Sequence, residues 1–151
     1  MKRLSSLKKI ADLVQKTKIR NPGKTARLMF EGQANFGRIN KPKYCWCSNK
    51  FRSCVPCHHI REYRYVFGAV KPLTGERFFL VMPNCNTSNM SVFLKELSKS
   101  YNDDIVILVC DGAVWHKSKN LEISGNIIMT YLLTDELVKS ITLREWIYSA
   151  I

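Results

Sequence analysis

The first thirty residues change from a helical to a strand-like hydrophobic pattern. Between residues 4 and 17, apolar residues recur at spacings of three and four, which is typical of an amphipathic helix. The segment Asn21-Pro22-Gly23 ends that helix, because proline and glycine interrupt helical backbone. Residues 26–31 are a short apolar run and predict a strand. We therefore expect an amino-terminal helix and linker over residues 1–25, with the main domain following over residues 26–151.

Downstream of residue 60 the pattern predicts a hairpin and then alternating helices and strands. The predicted elements are strands at 63–70 and 78–82, a helix at 88–101, a strand at 105–110, a short helix at 115–119, a strand at 127–133 and a final helix at 134–148. The strand at 105–110 is apolar at every position, as expected when both faces of a sheet are covered. This order predicts an α/β fold in which helices flank a mixed sheet.

Positive charge is concentrated in the first part of the chain. The 151 residues include 24 Lys and Arg against 12 Asp and Glu, a net charge of +12. Residues 1–64 hold 16 of the basic and three of the acidic residues, whereas residues 65–151 hold eight and nine. Such a field attracts polyanions, since cations that neutralise phosphates release the counterions of DNA. The alternative is a basic surface that only keeps the protein in solution.

The segment from Gly37 to His59 mixes basic, aromatic and cysteine residues, and we interpret it as an irregular hairpin or long loop. Lys and Arg bind phosphates, and aromatic faces stack on unpaired bases, so DNA is the predicted partner. The alternative is an exposed basic hairpin whose aromatic side chains lie in the core. The candidate DNA contacts, which include two residues after Asp111, are Arg38, Lys41, Lys43, Trp46, Lys50, Arg52, His116 and Lys117.

Two close cysteine pairs in the same segment form a candidate zinc site. Its candidate ligands are Cys45, Cys47, Cys54 and Cys57. Four thiolates can bind Zn²⁺ tetrahedrally, and His58 or His59 can replace one of them. The alternative is that these cysteines pack as small hydrophobic side chains. Cys85 and Cys110 lie elsewhere and are expected in or near the core.

The apolar runs of this sequence are all short. None approaches the roughly 20 residues of a membrane-spanning helix, and the basic start is not followed by the apolar stretch of a secretory signal. We therefore expect no membrane insertion and a cytoplasmic location, in which the cysteines stay reduced.

Asp111 is the strongest single candidate for chemistry. It directly follows the predicted buried strand at 105–110, and ligands bind at the carboxyl edge of open α/β sheets. Gly112 allows a ligand to approach the backbone closely. A carboxylate is a hard oxygen ligand for Mg²⁺, and two such ions can clamp the attacking and leaving oxygens of a phosphodiester. The alternative is that Asp111 caps the next helix.

Seven phrases between residues 26 and 131 run in the order of a known family. They lie at 30–39 (FEGQANFGRI), 42–46, 55–57, 61–63, 67–75, 83–86 and 108–118 (LVCDGAVWHKS). Together they resemble the catalytic domain of bacterial insertion-sequence transposases of the mariner-like DDE superfamily endonucleases. The resemblance implies a ribonuclease-H-like fold with an inserted basic Cys-rich hairpin. It also implies magnesium-dependent cleavage and strand transfer at transposon ends during DNA transposition, with self-association in a transposition complex.

The resemblance also assigns places to the three catalytic acids. Asp111 matches the second acid and is the implied magnesium ligand. The place of the first acid is Gly32, and the adjacent Glu31 faces the other side of the strand unless the backbone slips or bulges. The place of the third acid is Leu143, and Glu145 is the nearest carboxylate. The catalytic candidates are therefore Asp111, Glu31 and Glu145.

The chain departs from the family pattern after about residue 132, so the domain is interpreted as truncated or divergent there. We predict a transposase-type domain, a degenerate or truncated copy whose catalysis is impaired because the first acid place is Gly32 and no clear third acid is present. One alternative is a non-catalytic basic module that binds DNA or zinc. Another is a small nuclease that uses Asp111 and Glu145 alone.

Overall fold

The structure is a computed structural model that describes residues 2–37, 46–50, 54 and 62–131, with side chains from Lys8 onward. The described residues form two helices, a short 3₁₀ turn and five strands. The helices are α1 (Lys2–Arg20) and α2 (Thr87–Ser100), and the 3₁₀ turn is Val114–Lys117. The strands are β1 (Ala26–Gly37), β2 (Tyr63–Lys71), β3 (Glu76–Met82), β4 (Ile105–Cys110) and β5 (Ile127–Tyr131).

The five strands form one mixed sheet in the order β3-β2-β1-β4-β5. The second strand runs antiparallel to both β1 and β3, whereas β4 is parallel to β1 and β5 is parallel to β4. A five-stranded sheet in this order, with only its second strand reversed, has the ribonuclease-H-like arrangement. The predicted α/β fold class, a mixed sheet flanked by helices, is therefore confirmed.

Helices cover both faces of the sheet. The apolar face of α2 lies on one side, and its buried residues are Met90, Phe93, Leu94 and Leu97. Asn86 caps this helix, because its side chain accepts a hydrogen bond from the backbone N–H of Asn89 at 2.9 Å. On the opposite side, Ile10 of α1 packs against Val109 of β4. All six residues of β4 are consequently buried, as its unbroken apolar run predicts.

The first strand is longer than its sequence pattern predicts. It continues past Glu31 to Gly37, since the register with β2 extends from the pair Phe30 and Val70 to the pair Gly37 and Tyr63. Long-range pairing with β2 stabilises this polar extension, which local hydrophobicity alone does not indicate. The correction matters for function, because it places Gly32 and Gln33 inside the sheet.

Some predicted features lie outside the described residues. They are the final helix at 134–148 with Glu145, and most of the Cys-rich segment, including Arg38, Lys41, Lys43, Cys45, Arg52 and Cys57. The division into residues 1–25 and 26–151 stays a prediction. Within the described ranges, neither helix is both long and apolar enough to cross a membrane.

Candidate functional site

The site lies where β1 and β4 run side by side near the carboxyl end of β4. These parallel strands pair Met29 with Leu108 and Phe30 with Val109. The pairing ends there, and counting the register two residues further sets Gly32 opposite Asp111. These are the places that the family resemblance gives to the first and second acids. Gly32 has no positive φ, so an L-residue at this position needs no unusual backbone.

Glu31 faces the interior of the domain. Side chains alternate along a strand, so Met29, Glu31 and Gln33 share the face that α2 covers. Glu31 is 1% exposed, and the Cys110 thiol is its neighbour on the adjacent strand. Glu31 and the Gly32 position face opposite sides of the strand, and Glu31 meets Asp111 through the imidazole of His116 without a bulge in β1.

The 3₁₀ turn places His116 between the two acids. Its side chain is 1% exposed, with Nε2 3.5 Å from Oε2 of Glu31 and Nδ1 2.9 Å from Oδ1 of Asp111. The Tyr131 hydroxyl donates a 2.6 Å hydrogen bond to the backbone carbonyl of His116 and anchors the turn to β5. Glu31 and Asp111 thus face opposite nitrogens of one imidazole.

Gln33 completes the hydrogen-bond network. Its amide nitrogen donates to Oε1 of Glu31 at 2.5 Å and lies 2.9 Å from Nε2 of His116. In the tautomer with the proton on Nδ1, Nε2 of His116 accepts a hydrogen bond from Gln33 and Nδ1 donates one to Asp111. Among the described residues, Oε2 of Glu31 has no partner with ordinary hydrogen-bond geometry.

Burial controls the protonation of Glu31. Desolvation and then the negative charge of Asp111 raise the pKa of Glu31 to about 8, whereas hydrogen bonds from Cys110 and Gln33 act in the opposite direction. At neutral pH this carboxyl is therefore mostly protonated. Burial, followed by the charges of the same two acids, also raises the pKa of the half-buried Cys85 thiol.

Asp111 lies at the rim of the domain instead of in its core. Its side chain is 44% exposed, and Oδ1 also accepts a hydrogen bond from the backbone N–H of Ala113 at 3.0 Å. Asp111 does not cap the 3₁₀ turn, because the residue at the cap position is Ala113 and no side chain makes a capping hydrogen bond there. The contact with Ala113 is instead a local turn hydrogen bond. A cavity of about 620 Å³ opens beside it, lined by Cys85, Asn86, Thr87, Gly112, Val114, Trp115, Lys117 and Ser118.

The described donors do not fit a pair of magnesium ions. Mg²⁺ requires charged or neutral oxygen ligands in an octahedron and keeps several waters. Glu31 is buried and mostly protonated at neutral pH, and the imidazole of His116 separates it from Asp111. Gly32 offers no side-chain oxygen. Asp111 alone is positioned to contact a hydrated cation from the solvent.

The predicted DNA contacts that the structure describes differ in accessibility. Trp46, Lys50 and Lys117 are exposed, as a surface contact requires. The expectation that His116 contacts DNA is corrected, because its side chain is sealed inside the domain by Glu31, Gln33 and the turn itself. Of the four predicted zinc ligands, Cys47 and Cys54 are described as exposed free thiols.

Sequence reasoning missed two participants, Gln33 and Cys110. The signal for Gln33 is period-two alternation, which puts it on the same face as Glu31. Cys110 was expected only as a core residue, and it is fully buried. Its adjacency to Asp111 at the end of β4 was the available signal.

Comparison with known proteins gives partial matches. No protein-family model matches the chain. An uncharacterized protein of Sinorhizobium fredii, y4pE/y4sA, is 38% identical over 69 residues, which are 45% of this chain and 51% of that protein. The chain therefore spans about half the length of this curated relative.

Among solved structures, the chain is similar to several of the Mos1 transposase. The Mos1 strand transfer complex matches with a TM-score of 0.46 and 10% identity, over 87% of this chain and 37% of that one. A pre-cleavage Mos1 transpososome has a TM-score of 0.46 and 10% identity, covering 73% and 36%. The Mos1 mariner paired end complex with Mn has a TM-score of 0.46 and 13% identity, covering 82% and 48%. The chain spans less than half of each.

Proposed function

We propose that this chain is a transposase-type domain that binds DNA and whose DNA cleavage is impaired. The observation that carries the proposal is the pairing of β1 with β4, whose register, counted two residues beyond its last pair, sets Gly32 opposite Asp111. The family resemblance places its first two acids at these positions, and here one of them has no side chain.

DNA binding is supported by charge and exposure. Residues 1–64 carry a net charge of +13, and the exposed aromatic ring of Trp46 lies near exposed Lys50 in the sequence. Lysines at this density neutralise phosphates, and an exposed aromatic face can stack on an unpaired base. We infer that the basic segment binds DNA and that the rim with Asp111 and Lys117 faces it.

Impaired cleavage follows from the acids that are present. Phosphodiester hydrolysis of this class depends on divalent ions that stabilise charge on the attacking and leaving oxygens. Asp111 can contact such an ion through its exposed carboxylate, but Glu31 is turned into the interior and hydrogen-bonded to Gln33. With one available acid, we expect cleavage to be lower by orders of magnitude than with a full set.

Binding and cleavage can be measured on the same sample. We expect the full chain to bind duplex DNA with an affinity that falls linearly in a plot of log affinity against log salt concentration. With Mg²⁺ or Mn²⁺, cleavage should not exceed that of the Asp111→Asn variant. Metal-dependent cleavage that Asp111→Asn abolishes would overturn the impaired state, and salt-insensitive or absent binding would overturn the DNA-binding proposal.

A pair of charge-matched variants locates the interface. The double variant Lys43→Glu and Lys50→Glu should weaken DNA binding about 10-fold or more at low salt and reduce the salt slope. The control, Lys95→Glu and Lys99→Glu on α2, makes the same change in net charge outside the basic segment. Equal losses for both would indicate attraction by net charge alone, without a defined interface. Self-association on DNA stays a prediction, which the stoichiometry of the complex tests.

A further inference from the structure

We propose that Glu31, Cys110 and His116 form a buried zinc site inside the domain. The carboxylate oxygen, the thiol sulfur and the imidazole nitrogen of these residues all lie within 4.8 Å of one another. Each residue is at most 1% exposed. They come from three different elements, β1, β4 and the 3₁₀ turn, so an ion here would tie these elements together.

The distance between the carboxylate and imidazole donors fits tetrahedral coordination. Zinc bonds of about 2.0 to 2.3 Å place neighbouring tetrahedral ligands roughly 3.3 to 3.8 Å apart. The 3.5 Å between Oε2 of Glu31 and Nε2 of His116 falls in that range, but it is long for a hydrogen bond. Oε2 of Glu31 is buried and without an ordinary hydrogen-bond partner among the described residues. Coordination to a metal ion would give this buried oxygen a partner.

The surrounding hydrogen bonds already orient the ligands. Asp111 accepts from Nδ1 of His116 at 2.9 Å, which leaves Nε2 as the acceptor, 3.5 Å from Oε2 of Glu31. On metal binding, the lone pair of Nε2 exchanges its hydrogen bond from Gln33 for the ion. Gln33 holds the other oxygen of Glu31 at 2.5 Å. Metal-ligating histidines commonly donate their second N–H to a carboxylate, and ligating carboxylates are themselves hydrogen-bonded. Asp111 and Gln33 are therefore positioning residues for this site.

The donor chemistry selects zinc over magnesium. Thiolate and imidazole suit Zn²⁺, whereas Mg²⁺ demands oxygen ligands and an octahedron. The fourth position is available to a water molecule. Binding displaces one proton from the Cys110 thiol and one from the Glu31 carboxyl, and both go to the solvent.

The cavity of about 620 Å³ is lined by Gly112, two residues after Cys110, and by Cys85, whose thiol pKa is raised by burial and then by the charge of Glu31. The proposal does not depend on DNA binding or cleavage. A domain that binds no DNA can still hold zinc here, so the two proposals can fail separately.

The test removes the competing thiols of the basic segment first. In the full chain, the four substitutions Cys45→Ser, Cys47→Ser, Cys54→Ser and Cys57→Ser leave Cys85 and Cys110 as the remaining thiols. After treatment with a chelator and addition of zinc, native mass spectrometry should give one zinc per chain. X-ray absorption at the zinc edge should give one sulfur at about 2.3 Å with nitrogen and oxygen ligands at about 2.0 Å. Absence of zinc, or zinc without sulfur, would overturn the proposal.

Two single variants in this background identify the sulfur. Cys110→Ala should weaken zinc binding at least 10-fold, whereas Cys85→Ser should retain it. The parent variant should unfold about 5 to 10 °C higher when free zinc exceeds its dissociation constant about 100-fold, and Cys110→Ala should not respond. Retained binding in Cys110→Ala, or loss in Cys85→Ser, contradicts the donor set. If Cys110→Ala fails to fold, the sulfur count of the parent still decides.

Discussion

Glu31 and Asp111 flank the same imidazole, yet they occupy opposite environments. Glu31 is 1% exposed and its pKa is raised to about 8, whereas the side chain of Asp111 is 44% exposed and reaches the rim of an open cavity. Two acids in close proximity therefore do not make a catalytic pair. Their solvation determines whether each is a neutral internal group or an available anion, because burial penalises the charged form.

His116 lies between Glu31 and Asp111, and we expect removal of its side chain to have the largest effect on stability. His116→Ala leaves a cavity and takes away the hydrogen-bond partner of Gln33 and of Asp111. We expect the free energy of unfolding to fall by about 3 kcal/mol or more, measured by urea denaturation with a chelator present. The control is Val114→Ala in the same turn, which is 82% exposed and should cost less than about 0.5 kcal/mol. Similar losses for the two would show that the turn is not anchored through the imidazole.

The raised pKa of the buried Glu31 predicts that the free energy of unfolding depends on pH. Between the ordinary pKa of 4.5 and about 8, folded Glu31 holds a proton that the unfolded chain has released. Its contribution is therefore complete below pH 4.5 and is lost as the pH rises through 8, by up to about 1.4 kcal/mol per pH unit.

Glu31→Gln mimics the protonated form and should remove this slope. Unfolding of both proteins between pH 5 and pH 9 with a chelator gives the difference curve. Asp111, His116 and Cys110 also face Glu31, and they are common to both proteins, so their own titrations largely cancel. A flat difference curve would mean that Glu31 is ionised throughout this range.

A second carboxylate beside the exposed Asp111 tests whether this edge of the sheet can bind a metal ion. Gly32→Asp places an acid beside Asp111, and two carboxylates at one edge should bind Mn²⁺ at least about 10-fold tighter than one. Titration followed by electron paramagnetic resonance measures this affinity. Asn35→Asp adds the same charge to an exposed position of β1 and should have little effect. Equal gains for both variants would contradict the register argument, and DNA cleavage should remain low in either.

The smallest effect is expected from removing the charge of Asp111, which changes the pKa of Glu31. Asp111→Asn removes a negative charge that raises the pKa of Glu31. The pKa should fall by less than about one unit and stay well above 4.5, because burial is the larger cause. Carboxyl ¹³C shifts of Glu31 across a pH titration measure it. A return to an ordinary value would mean that charge, and not desolvation, dominates.

The local pattern of apolar and turn residues was sufficient to predict most strands of the sheet and one catalytic candidate, Asp111. The apolar run at 105–110 and the hairpin on either side of Gly75 each follow from neighbouring residues, because burial and turn chemistry act over a few positions. Asp111 was identified by its place after a buried strand. The polar end of β1, from Gly32 to Gly37, does not follow from local pattern, since its partners in β2 lie 26 to 36 residues away.

The sequence by itself determined the net positive charge, the strand and helix periods, the absence of an acid at Gly32 and the position of Asp111. Tertiary structure decided which groups meet: Glu31 from β1, Cys110 from β4 and His116 from the 3₁₀ turn are up to 85 residues apart and lie within 4.8 Å. Periodicity gives the face on which a side chain lies, but proximity depends on sheet register and on the path of the chain after Asp111. Protonation of Glu31 depends on the burial that this packing creates.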